Sequence, residues 1–415
     1  MLTTATLAAQ RGQRLALRLV VAATGFNMVL CFLSTRVHAV SAAEVTVVEL
    51  AILGAALLAV WRTVDRDTWC IAGLTVGWIA VAHIIDSKLG PTTLVALAIP
   101  PVFFALGRRY ANPERGDRVV LVLTLAVVAL GLFELLDLAT FERLFDVIGY
   151  YVNKGGADRS QLSVTGTHLF VSGVRPSSEG RSLLPALGDH RVSSLFLEPV
   201  SAGNFAVVAA LWAMARLPAQ PGRHYTVLAL AVVVAVLADS RLAIGCGVAV
   251  AVALGTPLPR TRLALLALPL ALVAALVLIG WTSAPRAIDD TLGGRLYSSG
   301  TLLASWGVTQ WLGVEWSQGI EDSGYAQVFS GLGVLPAAVL WSLVALRTEP
   351  TALAERVRCG LAVYLALSLC ITGSVLSIKT GALAWFLYGA SQSVPLRPTT
   401  RYRQVPGALA PSLSA

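Results

Sequence analysis

The sequence predicts an all-α polytopic membrane protein with about 12 transmembrane helices and two long outer loops. Three observations carry that prediction. The first is composition. Of 415 residues, 56% are hydrophobic and 13% charged, with a mean hydropathy of +0.73, where a soluble chain carries about 25% charged residues. The second is a recurrence of apolar runs separated by short polar breaks. The third is the distribution of Lys and Arg. With the N-terminus inside, nineteen of them fall on inner segments, while the short outer turns hold only Arg36, Lys88, Arg241 and Lys379. The remaining eight lie in the two long loops, which the positive-inside rule does not govern. The net charge of +8 follows from this asymmetry and needs no nucleic-acid partner.

Taken in order, the apolar segments are 14–33, 44–61, 69–86, 92–107, 118–138, 198–216, 225–239, 241–256, 263–282, 323–346, 357–372 and 376–392. Arg11, Arg14 and Arg18 precede the first, as in a signal peptide. No soluble part follows, so the first run is read as a retained span. The spacing divides the chain into N-terminal helices (1–138), a long loop (139–197), central helices (198–282), a second long loop (283–322), C-terminal helices (323–392) and a basic tail (393–415) expected to be disordered. Cys31, Cys70, Cys246, Cys359 and Cys370 lie in or beside apolar runs without C-x-x-C spacing. That pattern indicates neither a disulfide framework nor a zinc site.

Long ordered loops in a compact protein are usually functional. The first opens with FERLFDVIGYYV, where Phe141, Leu144, Phe145 and Ile148 keep helical apolar spacing. The spacing predicts a helix at the interface with Tyr150 and Tyr151 at headgroup level. A Gly/Ser/Thr-rich stretch follows and is expected to form a small hairpin. The second loop holds Trp306, Trp311 and Trp316 at five-residue intervals. Either interfacial anchoring or sugar stacking suits them.

Charged groups gather at the outer ends of spans. Arg191 and Glu198 flank the sixth span in RVSSLFLEPVSAGNF. Pro199 marks a helix start, so Glu198 falls at a helix N-terminus, where the macrodipole favours a carboxylate. Asp239, Ser240 and Arg241 make the tight turn between the next two spans. Arg295 follows a glycine pair, and Glu321 and Asp322 open the tenth span. Any one arginine alone reads as a snorkelling side chain. Arg191, Arg241 and Arg295 on one face would suit a phosphate, since each planar fork donates two parallel bonds and stays charged. His168 and His190 read as polar loop residues. No metal-ligand cluster faces outward, so no metal or other cofactor is expected.

The order of these motifs resembles a known family. An arginine-containing motif precedes an apolar span (RVSSLFLEPVSAGNF). A tight S-R turn follows (ADSRLAIGCGVAV), then a G-R segment, a W-x-G-V run and EDSGYAQVFSGLGVL. This order, over residues 120–345, resembles the O-antigen ligase and Wzy-type polysaccharide polymerase superfamily. FLEPVSAGNF is closest to exopolysaccharide polymerases of the xanthan type. The resemblance implies a glycosyltransferase of the bacterial inner membrane with its site on the periplasmic face. It implies undecaprenyl-pyrophosphate-linked glycans as donor and acceptor, with chain-length regulator and export proteins as further partners. Arg191 and Arg241 match the family's pyrophosphate arginines, and Arg295 is placed with them. The ligase motif carries a histidine three residues before an aromatic. Asp322 stands there before Tyr325 in this chain, which favours polymerase over ligase.

The chemistry of such a transfer asks for positive charge on the leaving pyrophosphate and a general base for the acceptor hydroxyl. The base is left among Asp322, Glu321 and Glu198. Tyr325 and Trp316 are the expected sugar contacts. Ligase-like transfer and a lipid or polysaccharide transporter are the alternatives. A transporter would place its charges mid-span, and a mannosyltransferase type would want an acidic motif in the first outer turn, which offers only Glu44.

Overall fold

The computed structural model describes residues 4–62, 64, 66–85, 91–158, 160, 166–175, 181, 183–256, 262–284, 291–315 and 323–393. Among them there is no strand. Each of the twelve apolar runs is helical, as α1 (Thr4–Arg36), α2 (Ala42–Val60), α3 (Arg66–Ile85), α4 (Pro91–Tyr110), α5 (Pro113–Leu136), α8 (Pro199–Arg216), α9 (Pro221–Leu237), α10 (Arg241–Gly255), α11 (Arg262–Thr282), the pair α14 (Gly324–Leu332) and α15 (Val334–Ala345), α16 (Ala352–Ser368) and α17 (Ile378–Ser391). Proline at the first position of α4, α5, α8 and α9 costs no helix bond, because that N–H has no intrahelical partner.

Among the described residues, four helices are long and apolar enough to cross a membrane, Gln10–Arg36 of α1, α2, α5 and α11, or five if the bent pair α14–α15 is one span. The tenth run is not one straight helix. It bends by 111° between α14 and α15, at Gly333, whose φ of 76° is open to glycine at little cost. α8 is the centre of the bundle. It is buried almost all round, and it packs on α5, α9, α10, α16 and α17. A helix apolar on every side belongs in an interior. α11 is the opposite case, with most of its span exposed.

The long loops correct several expectations. The interfacial helix is two short ones, α6 (Leu138–Leu144) and α7 (Val147–Asn153), because Asp146 caps α7 through the Gly149 amide at 3.1 Å. Tyr150 and Tyr151 are buried, not at a headgroup surface. Tyr150 donates to Asn27 of α1 at 2.7 Å. The expected hairpin is a single antiparallel bridge between Val174 and His190. The second loop contains α12 (Leu292–Ala304), laid along α11, and the short α13 (Val308–Trp311).

Candidate anion-binding cleft

The chain enters α8 through a kinked stretch. Ser194 and Leu197 both have positive φ, 51° and 62°, which side chains adopt only when their surroundings hold them there. Val192 donates its amide to Leu237 at the end of α9, at 3.0 Å. The α9–α10 turn is closed by Asp239, at φ 46°, a residue type that tolerates this region. Ser240 then caps α10, accepting from the Ala243 amide at 3.3 Å. α8 approaches this turn so closely that a Cβ on Gly203 would run into the Ser240 side chain. Asn204, beside it, donates to Ser374 just ahead of α17.

These elements line a small open cleft. Arg191, Arg241 and Arg295 all line it, and Arg175 joins them. The three arginines singled out in the sequence are therefore brought together. Among the described residues, the carboxylate in the lining is Asp239. It meets Arg175 at 3.4 Å and accepts the Leu183 amide at 2.9 Å. Arg191 is aimed by two carbonyls, Ala238 at 3.2 Å from Nε and Ser172 at 3.0 Å from Nη1. Arg181 braces the wall, donating to the carbonyls of His190, Val236 and Leu237 at 2.5, 2.6 and 2.9 Å.

The first turns of three helices contribute to the lining of the cleft. Val200 comes from α8, Arg241 from α10, and Leu292 and Arg295 from α12. Each end carries partial positive charge and amide donors. Among the described residues, four guanidinium groups and one carboxylate line the cleft, the kind of lining that suits an anion. Leu242 and Leu292 give it an apolar rim.

Glu198, one of the three candidate bases, stands at the N-terminal end of α8. Its carboxylate accepts Lys379 Nζ at 2.7 Å, Ser201 Oγ at 2.8 Å and the Tyr151 hydroxyl. Lys154 lies over the Tyr150 and Tyr151 rings, 4.9 and 3.8 Å from their centroids. Burial, with the Lys379 charge beside it, pushes its ammonium down to about 8.

Tyr325, the expected sugar contact, is buried, and its hydroxyl donates to the Ala366 carbonyl at 2.9 Å. Trp306 and Trp311 stack on each other with centroids 5.5 Å apart, and Trp311 on Phe329. Trp316, Glu321 and Asp322 lie outside the described residues. Their neighbour Ser323 caps α14, and the Tyr325 amide donates to Leu369 at 2.9 Å, two residues from the cleft-lining Ile371. Sequence reasoning passed over Arg175, which sits in the long loop with no span beside it to draw attention. Comparisons of the chain with family models, with curated proteins and with solved structures find no match.

Proposed function

We propose that this chain is a polysaccharide polymerase of the bacterial inner membrane, joining undecaprenyl-pyrophosphate-linked repeat units on the periplasmic face. The observation that carries the reading is the convergence of Arg175, Arg191, Arg241 and Arg295 on one cleft. In the transfer, an acceptor hydroxyl forms a bond to the anomeric carbon. The bond from that carbon to pyrophosphate breaks, and the leaving oxygen keeps its electron pair. Arginines and helix N-termini stabilise that charge as it develops. The hydroxyl proton passes to a base, for which Asp322, with Glu321 beside it, is the proposed group. The start of α14 beside Ile371 supports that choice.

The same reading takes all twelve apolar runs as spans, with residues 139–197 and 283–322 outside. Shorter helices such as α9 and α17 fit as spans set off-centre or within a locally thinner layer. The nineteen-to-four distribution of Lys and Arg supports this orientation. The test is the lipid-linked glycan in a strain lacking the chain. Single repeat units on undecaprenyl pyrophosphate at the outer face are expected. Full-length polymer left on the lipid would point to ligation instead, and repeat units trapped at the inner face to transport.

A further inference from the structure

Glu134 lies in the last turn of α5, completely buried, within a helix apolar enough to cross a membrane. A carboxylate in such a helix is costly and marks a functional or architectural role. Among the described residues its ion-pair partner is His190, with Nε2 at 2.9 Å. Its other bonds go to the same short stretch. Oε1 accepts the Ser193 amide at 2.9 Å, and Oε2 accepts the Ser193 and Ser194 amides at 3.0 and 2.6 Å. Ser193 is right-handed (φ −99°, ψ −29°) and Ser194 left-handed (φ 51°). Successive amides in that pair of conformations form a concave nest that grips an anion. Here the anion is the Glu134 carboxylate itself.

Arg191 lies between the two points of grip. Its side chain turns the other way, to the Ala238 and Ser172 carbonyls and the cleft. Residues 190–194 contain no helix or strand apart from the bridge at His190 and the turn opening at Ser194. Their backbone is held by the Arg191 amide on Gly173 at 2.8 Å, the Val192 amide on Leu237 at 3.0 Å and, for the next two amides, the Glu134 carboxylate. We infer that Glu134 is a positioning residue for the cleft, fixing segment 190–194 and through it the place of the Arg191 guanidinium. The inference rests on the proposed reading of the cleft as a pyrophosphate site.

The experiment uses the full chain in detergent with Glu134→Gln, read by amide hydrogen exchange and by binding of inorganic pyrophosphate. A glutamine keeps the shape but turns an N–H₂ donor toward amides that need an acceptor. Exchange should rise at residues 191–194 and stay unchanged along α8, with pyrophosphate bound about tenfold more weakly. In an Arg191→Ala background the same change should add almost nothing, since both act on one contact. Unchanged exchange at 191–194, or a full further loss in the Arg191→Ala background, overturns the inference. If Glu134→Gln does not fold, His190→Gln carries the test with a smaller effect, about threefold, and unchanged exchange there overturns it equally. Pyrophosphate binding that is indifferent to Arg241→Ala would instead sink the pyrophosphate reading. The exchange data would then decide the positioning role alone.

Discussion

Where α5 begins and α8 ends, Arg216 grips Asp117 through Nε at 3.0 Å and Nη2 at 2.7 Å, and Trp212 donates to the same carboxylate at 2.9 Å. Nearby at that end of the bundle, Arg358 meets Glu355 at 2.5 Å and the Ala345 carbonyl that closes α15. Arg356 spends its donors on the carbonyls of Met214 and Ala215. At the opposite end, among the described residues, Arg175, Arg191, Arg241 and Arg295 line an open cleft with Asp239. Residue type does not separate the two ends, since both are rich in arginine at helix termini. Whether the space between the charges is filled does. Cations whose donors go to carboxylates and carbonyls in a packed interior are architecture. Guanidinium groups lining an open cleft leave room for an anion.

The largest effect that sharpens this contrast is at the paired end. Asp117→Ala leaves Arg216 buried without its counter-charge, which costs about 3–5 kcal/mol. Thermal unfolding in detergent should show a large loss, and no pyrophosphate concentration should restore it. A melting curve like the parent's would break the comparison, because the pair would then be no more structural than the cleft. Next in size is the cleft itself. Arg241→Ala should lower polymer formation by about a hundredfold, near 2.7 kcal/mol of transition-state stabilisation, while unfolding shifts little. Arg241→Lys should recover little, as a point charge replaces a bidentate fork. Normal polymer from both Arg191→Ala and Arg241→Ala would return these residues to the snorkelling class.

The contrast also explains what the sequence could reveal. Arg241 was legible because it stands at the edge of an apolar run, where a charge is conspicuous, Arg191 because it leads into one, and Arg295 because it follows a glycine pair in a long loop. The helical class was legible from the same apolar runs. The pairing of Glu198 was not legible because its partner Lys379 lies 181 residues away, and no local pattern announces such a pair. Tyr150 and Tyr151 keep amphipathic spacing, but the same spacing serves a helix docked on protein, and only Asn27 and Glu198 show which holds. The bend at Gly333 hides inside a run whose hydropathy is continuous across it. Arg175 sits in a polar loop, where one more arginine is unremarkable until the fold carries it to Asp239.

A smaller effect tests how the cleft is kept open. Gly203→Ala puts a methyl group against Ser240, the residue before Arg241. The turn must shift, and overpacking of this kind costs about 1–3 kcal/mol. Polymer formation should fall about tenfold, with Gly245→Ala on α10 as the control. A Cβ at Gly245 meets nothing within 4 Å, so that change should be neutral or stabilising by up to about 1 kcal/mol. Equal activity from the two variants would mean that the close approach of α8 does not set the position of Arg241.

The smallest effect asks whether Glu198 belongs with the structural pairs or with the cleft. Its carboxylate meets Lys379 Nζ at 2.7 Å and accepts Ser201 Oγ at 2.8 Å. Glu198→Gln removes the charge opposite Lys379, so its unfolding temperature should lie below the parent's. Turnover separates the roles further. A structural pair predicts reduced folded yield with residual turnover per folded molecule, whereas a base predicts normal yield with turnover abolished. An unfolding temperature equal to the parent's, joined to abolished turnover, would make Glu198 the base and remove it from the pairs that hold the bundle together.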